Sequence, residues 1–141
     1  MPKRWITVAL MAAIAAPLLA ISIGTRVPAS AATNDPVMAG QKIYGANCSA
    51  CHGAKGAGLP GEFPPLAGNA MVTGSPDKVI AAVKDGLTGA MTVNGKSYSG
   101  AMPAWKGKLS NPDIADVITY VRSAWGNKAD AVTEAQVAAL K

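Results

Sequence analysis

Behind an apolar run at the N-terminus, apolar side chains recur with helical spacing in four short stretches, separated by segments rich in glycine, proline and polar residues. Asp35 stands where it can cap a helix whose first position is Pro36. Val37, Gly40, Ile43 and Tyr44 fall on one face of that helix, and Asn47 extends the face toward its end. Gly40 within the stripe allows a second backbone to come close. A second helix starts at Ser75-Pro76-Asp77-Lys78, turns Val79, Ile80, Val83 and Leu87 inward, and stops at Gly86 or Gly89. The third begins near Ser110 to Asp113, with Ser110 or Asn111 as its cap and Pro112 tolerated in the first turn. Ile114, Val117, Ile118, Val121 and Trp125 form its buried face, and Gly126 suits its end. Val132, Thr133, Gln136 and Val137 combine a hydrophobic staple with a capping box, predicting a last short helix over 133–140.

Two loops separate these helices. Residues 53–75 hold nine Gly or Pro positions, too many for a regular element, so this stretch reads as a loop ordered by whatever it wraps. A second loop runs over 88–109, where Asn94-Gly95 between Val93 and Tyr98 favours a tight turn and admits a small hairpin near 91–98. The expected class is all-α, with two long loops that seldom pack without a ligand.

The N-terminus has a different pattern. Met1 to Trp5 is short and basic, Ile6 to Gly24 is apolar or small throughout, and Ala29-Ser30-Ala31 is a small-x-small cleavage site. At about 1.5 Å per residue, that apolar run approaches the length of one membrane span. Residues 1–31 are read as a signal peptide cut after Ala31 or Ala32 or, if residues 6–24 are retained, as a membrane anchor. Export to the periplasm follows in both cases. Residues 32–35 form a short linker, 36–127 the folded domain, and 128–141 a tail with its short helix.

Charge and composition narrow the class. The net charge is +5, but Lys3, Arg4 and Arg26 flank the apolar segment, so residues 32–141 keep a balance of only +2. No basic stripe is left to track a nucleic acid. Aromatic content is 5%, beside fifteen glycines and ten prolines, which makes a thin core for so much loop. A bound apolar cofactor would supply what is missing.

The chemistry sits in one motif. The only cysteines, Cys48 and Cys51, and the only histidine, His52, form C-x-x-C-H. Two thiols three residues apart at a helix end can add to the two vinyl groups of a haem, and the adjacent imidazole can then reach the iron. A disulfide or thiol-exchange site has no use for His52, and a thioredoxin-like domain needs a buried strand before the motif, where Val37 to Tyr44 has helical spacing. Structural zinc wants four protein ligands, and this set is one short.

A single histidine excludes bis-histidine ligation within the chain, leaving Met, Lys, Asn, the N-terminus, water or nothing for the sixth position. Met1 and Met11 lie in the targeting segment, and Met38 shares the first helix with the motif. Met71, Met91 and Met102 remain. Met102 is favoured because Gly100 permits close backbone approach and Pro103 stiffens the loop presenting the sulfur. A thioether stabilises reduced iron relative to an imidazole, so this ligand implies a comparatively high potential.

Over residues 36–126 the chain resembles class I c-type cytochromes. The resemblance rests on Cys48 to His52, on Gly40 and Tyr44, and on Phe63-Pro64-Pro65-Leu66-Ala67-Gly68-Asn69. Tyr98-Ser99-Gly100-Ala101-Met102-Pro103-Ala104-Trp105 and the last long helix with Tyr120 complete it. It implies a fold wrapped around one covalent haem c, with the first and last long helices crossing at Gly40 and Tyr44. It further implies that the Pro64 carbonyl accepts the imidazole proton of His52, that Leu66 is an apolar haem contact and that Met102 ligates iron. Tyr120 to Asn127 is similar to cytochrome subunits or domains of periplasmic dehydrogenases, nitrite reductases and respiratory oxidases. The separation of fifty residues between His52 and Met102 is shorter than in mitochondrial cytochrome c.

The expected function is one-electron exchange between Fe(III) and Fe(II), with a periplasmic dehydrogenase, reductase or terminal oxidase as partner and no catalytic residue of its own. Lys96, Lys106 and Lys108 offer a weakly basic rim for an acidic partner, or serve solubility alone. Two alternatives stand beside the soluble carrier. One is a membrane-anchored relay subunit of a dehydrogenase or oxidase; the other is a ligand-binding or catalytic haem protein with an open sixth position.

Overall fold

The structure, a computed structural model, describes residues 35–141, so the signal-peptide or anchor reading of residues 1–31 lies outside the described residues. Among the described residues no helix is long and apolar enough to cross a membrane.

Helix α1 spans Pro36–Asn47, and Asp35 caps it by accepting a hydrogen bond from the Val37 amide. One further turn, α2, covers Ser49–His52. The following loop contains a one-turn helix that its glycine and proline content concealed: α3, Ala70–Thr73, started by the Asn69 side chain accepting from the Met71 amide. Pro76–Asp85 forms α4 and ends at Gly86, whose φ of +75° is a left-handed backbone.

Strands β1, Met91–Val93, and β2, Lys96–Tyr98, pair antiparallel as the expected hairpin. Asn94 and Gly95 both take positive φ, 51° and 77°, the turn whose twist suits two-residue hairpins. Val93 and Tyr98 point inward.

Helix α5 spans Asn111–Ser123 behind a full capping box, in which the Ser110 hydroxyl accepts from the Asp113 amide and the Asp113 carboxylate from the Ser110 amide. Ile114, Val117, Ile118 and Val121 are buried as the periodicity predicts. Trp125 is not on this helix. The helix stops at Ser123, and Trp125 itself sits at φ +53° before Gly126 at +86°. A bulky residue there is strained and persists only where packing fixes it. The last element, α6, is Glu134–Ala139 with the Thr133/Gln136 capping box.

Two contacts organise these elements. At Gly40 helix α1 crosses α5 so closely that a Cβ would lie 2.0 Å from the Asp116 carbonyl oxygen, which only glycine permits. Below the crossing Tyr44, Tyr120 and Trp125 pack ring against ring, with centroids 5.0 to 5.6 Å apart. Val72, Ile80, Ile114, Ile118 and Val137 are the largest fully buried side chains, so α3, α4, α5 and α6 share one core. The tail is bonded to it where the Thr119 hydroxyl both donates to the Val132 carbonyl at 3.2 Å and accepts from the Val132 amide at 2.9 Å. The architecture is all-α with one small hairpin.

Candidate functional site

The C-x-x-C-H motif is the single turn after α1. Cys48 caps α1, and its carbonyl accepts from the Cys51 and His52 amides at 3.2 and 3.0 Å. Gly53, at φ +74°, then turns the chain away. The Tyr44 hydroxyl donates to the Gly53 carbonyl at 2.6 Å, so the aromatic group at the helix crossing also fixes the end of the motif. Cys48 is half-buried and Cys51 exposed, and both are free thiols. Burial, and after it the neighbouring Cys51, pushes the Cys48 thiol up to about 11.

His52 is buried, and its Nδ1 lies 3.1 Å from the Pro64 carbonyl oxygen, which can only accept. Nδ1 therefore carries the proton and the Nε2 lone pair is left for a metal. Burial lowers the imidazole pKa below 6.5, opposed by the Pro64 carbonyl, so the ring is held neutral as a ligand requires. The loop carrying Pro64 is closed against the motif: the Gly58 amide donates to the His52 carbonyl at 2.9 Å, and the Leu59 amide to that of Phe63 at 2.8 Å. Gly58 must lack a side chain, since a Cβ would lie 2.3 Å from the Phe63 carbonyl oxygen.

Two apolar cavities flank this group. The first, about 550 Å³ of empty space partly open to solvent, is lined by Cys48, Cys51, His52, Pro64, Met91 and Met102 among others. The second, about 570 Å³, is lined by Tyr44, Cys48, His52, Leu66, Met71 and Met102, with α4 and α5 behind them. Every sequence-predicted site residue is thus at one cavity or the other. Cys48, His52 and Met102, together with Trp105, line both, whereas Met91 reaches only the first and Met71 only the second.

Met102 is held by a backbone pair with Leu87, its amide donating at 2.8 Å and its carbonyl accepting at 3.0 Å. One imidazole, two thiols, a choice of three thioethers of which Met102 alone lines both cavities, and apolar walls form a donor set that fits a haem c. Among the described residues no cluster of three His, Cys, Asp or Glu side chains could hold a metal ion by itself.

Several supporting residues escaped the sequence reading. Asn127 is buried, donating its amide to the Leu66 and Val121 carbonyls at 3.0 and 2.8 Å while its Oδ1 accepts from the Gly68 amide at 2.9 Å. The end of α5 is thereby tied to the loop that faces His52. Arg122, also buried, donates to the Val72, Gly74 and Asp130 carbonyls. Lys84, one turn beyond Ile80, is buried on α4 as well, and the sequence reading did not single it out.

Comparison with known proteins agrees with this geometry. Residues 35–121 match the family described as "Cytochrome C oxidase, cbb3-type, subunit III". Cytochrome c-552 of Thermus thermophilus is 38% identical over 92 residues, covering 62% of this chain and 69% of that protein. Cytochrome c6 of Leptolyngbya boryana is 43% identical over 83 residues, 59% of this chain and 86% of the relative. The cytochrome c subunit of the quinone alcohol dehydrogenase of Gluconacetobacter polyoxogenes is 37% identical over 114 residues, 79% of this chain but only 24% of that subunit. With the family match running from the cap of α1 through most of α5, and the motif, the cavities and Met102 inside it, the chain belongs to the class I c-type cytochromes and is a carrier of single electrons.

Proposed function

We propose that this chain is an exported monohaem electron carrier in which Cys48 and Cys51 would hold haem c by thioether bonds and His52 and Met102 would ligate its iron. The observation that carries this reading is that His52 and Met102 line both cavities, with Cys48 beside them and Cys51 at the rim of one. When bound, haem c supplies a one-electron Fe(III)/Fe(II) couple. The chain's residues do the rest. The Pro64 carbonyl accepts the hydrogen bond from the Nδ1–H and fixes the His52 tautomer, Leu66 and the α4 and α5 side chains keep water from the cavity wall, and the Leu87 backbone holds the Met102 loop.

The test is the far-red thioether-to-iron charge-transfer band of the oxidised protein. Met102→Ala is expected to abolish the band, open the sixth position to added ligands and lower the reduction potential, while Met91→Ala and Met71→Ala keep it. Loss of the band in Met91→Ala instead would move the ligand to Met91. A wild type that never shows the band and binds carbon monoxide rapidly would favour the ligand-binding haem protein.

Residues 1–31 are assigned to export, with cleavage after Ala31 or Ala32 releasing the carrier into the periplasm; N-terminal sequencing of the mature protein tests this. A mature chain that keeps residues 6–24 would be an anchored relay with the same haem site. The partner is proposed to be a periplasmic redox enzyme, a reading supported by relatives named as cytochrome c subunits of alcohol dehydrogenase and of gluconate 2-dehydrogenase.

A further inference from the structure

Lys84 is 5% exposed, on the face of α4 that packs into the core. An apolar side chain would fill that position at no electrostatic cost, whereas a buried ammonium is expensive unless it is hydrogen-bonded. Its Nζ donates to the Val137 carbonyl at 2.9 Å and to the Leu140 carbonyl, so it is tethered to the C-terminal tail. These carbonyls sit at the end of α6, where the helix leaves acceptors without intrahelical partners and the dipole favours a cation.

The backbone of the same residue faces the Met102 loop. The Lys84 carbonyl accepts from the Lys106 amide at 3.0 Å, and the Val83 carbonyl from the Trp105 amide at 3.0 Å. One turn further, Leu87 makes its paired bonds with Met102. Between them a Cβ on Gly86 would lie 2.4 Å from the Met102 carbonyl oxygen, which leaves the loop no slack against the end of α4. Lys84 therefore joins two things: by its side chain the tail, by its carbonyl the loop that presents the sulfur. The tail lies beyond the region matched to the family, which ends at residue 121.

We infer that the C-terminal segment 128–141 braces the Met102 loop through Lys84 and sets how readily a competing ligand displaces the Met102 sulfur. Lys84 is a positioning residue in this arrangement. The inference rests on the assignment of Met102 as an axial ligand. Displacing the sulfur moves the loop off the end of α4, and a fixed α4 opposes that movement; tail docking and sulfur ligation are then thermodynamically coupled.

The experiment titrates the oxidised full-length holoprotein with imidazole and follows the far-red band. Lys84→Met removes the tether while keeping the apolar stem, and Val137→Ala loosens the packing of α6 while leaving the Lys84 side chain and its backbone acceptors chemically intact. Both are expected to lose half the band at an imidazole concentration about tenfold below wild type, a typical coupling between two sites. Amide exchange at Trp105 and Lys106 is expected to speed up in both. Asp35→Ala, which removes the α1 cap far along the chain, is expected to lower thermal stability and leave the imidazole midpoint unchanged. If Lys84→Met does not fold, Val137→Ala decides alone. Variants that melt earlier yet keep the wild-type midpoint, or an Asp35→Ala midpoint that falls by the same factor, would overturn the brace. A wild type without the band would instead overturn the Met102 ligand, so the two failures are separable.

Discussion

Tyr44 shows how one side chain serves both the helix crossing and the haem motif. Its ring packs on Tyr120 and Trp125, and its hydroxyl donates to the Gly53 carbonyl just after His52. Burial raises the phenol pKa well above its ordinary 10.0, with smaller contributions from Cys48 and Tyr120. A folded-state pKa above the unfolded one favours the neutral phenol. Its contribution to stability is therefore complete below pH 10 and is lost as pH rises from there through the folded value. Tyr44→Phe is expected to lower the unfolding free energy at neutral pH by about 1–2 kcal/mol, because the Gly53 carbonyl loses its donor, and to flatten the decline in stability above pH 10. Urea denaturation at pH 7 and in the alkaline range measures both; an unchanged alkaline slope would show that Tyr44 is not the group responsible. At this scale the sequence was readable where chemistry is local. Cys48, Cys51 and His52 stand out by spacing alone, and the glycine and proline neighbours of Met102 are what single it out as the proposed ligand. Pro64 and Leu66 came only from family resemblance, since nothing local marks one proline in a proline-rich loop as the acceptor 3.1 Å from His52. The bonding roles of Asn127, met only within the stretch Tyr120 to Asn127 that carries the resemblance, and of Lys84 gave no local signal, because partners of theirs lie 61 and 53 residues away in sequence.

Helix starts with an explicit cap were legible to within a residue or so, and the end of a helix set by packing was not. Asp35 and Thr133 start α1 and α6 as expected, Ser110 starts α5 where the sequence offered Ser110 or Asn111, and Asn94-Gly95 closes the hairpin. The end of α5 was misplaced because periodicity continues the apolar stripe to Trp125, whereas the ring leaves the helix to pack on Tyr44 and over Gly56. A Cβ on Gly56 would come within 2.5 Å of that ring, so one glycine and one strained tryptophan form a non-local pair that no window of sequence contains. Similarly α3 escaped notice because Asn69 nucleates a single turn amid glycines. The α1–α5 crossing is where element geometry is most constrained. Gly40→Ala drives a methyl into the Asp116 backbone carbonyl, which cannot swing aside as a side-chain end can, so the helices must separate. The expected loss is about 3 kcal/mol, the upper part of the range for overpacking. Chemical denaturation of the holoprotein measures it; a loss below about 1 kcal/mol would mean that the crossing yields more easily than the close approach indicates. Gly45→Ala on the same helix meets nothing within 4 Å and is expected to be neutral or stabilising, which separates the crossing from general helix propensity.

The molecule as a whole is built around space that its own side chains do not fill. Its largest fully buried residues are Val and Ile from α3, α4, α5 and α6, and two of them, Val72 and Ile118, form part of the wall of the second cavity beside His52 and Met102. On the far side of that wall the two long loops have little helix or strand, and their order comes from backbone bonds such as Gly100 to Glu62 and Leu66 to Gly56. Loops this rich in glycine cost much backbone entropy to order, a cost their prolines only partly offset, and apolar cavity walls with nothing packed against them offer no packing energy in return. Binding to the folded state alone would supply the difference. Replacing both Cys48 and Cys51 with Ala, followed by extraction of any non-covalent haem, is therefore expected to change the cooperativity of folding and not merely its midpoint. The α1–α5 pair and its aromatic cluster should retain part of the helical circular dichroism, while the loops from 53 to 75 and 88 to 109 lose protection from amide exchange and the heat transition broadens and moves down. Re-addition of haem should restore a sharp transition in proportion to occupancy. An apo chain that melts as sharply and at the same temperature as the holoprotein would show that the protein core holds the loops unaided, and the cavities would then be preformed sites rather than spaces closed around a cofactor.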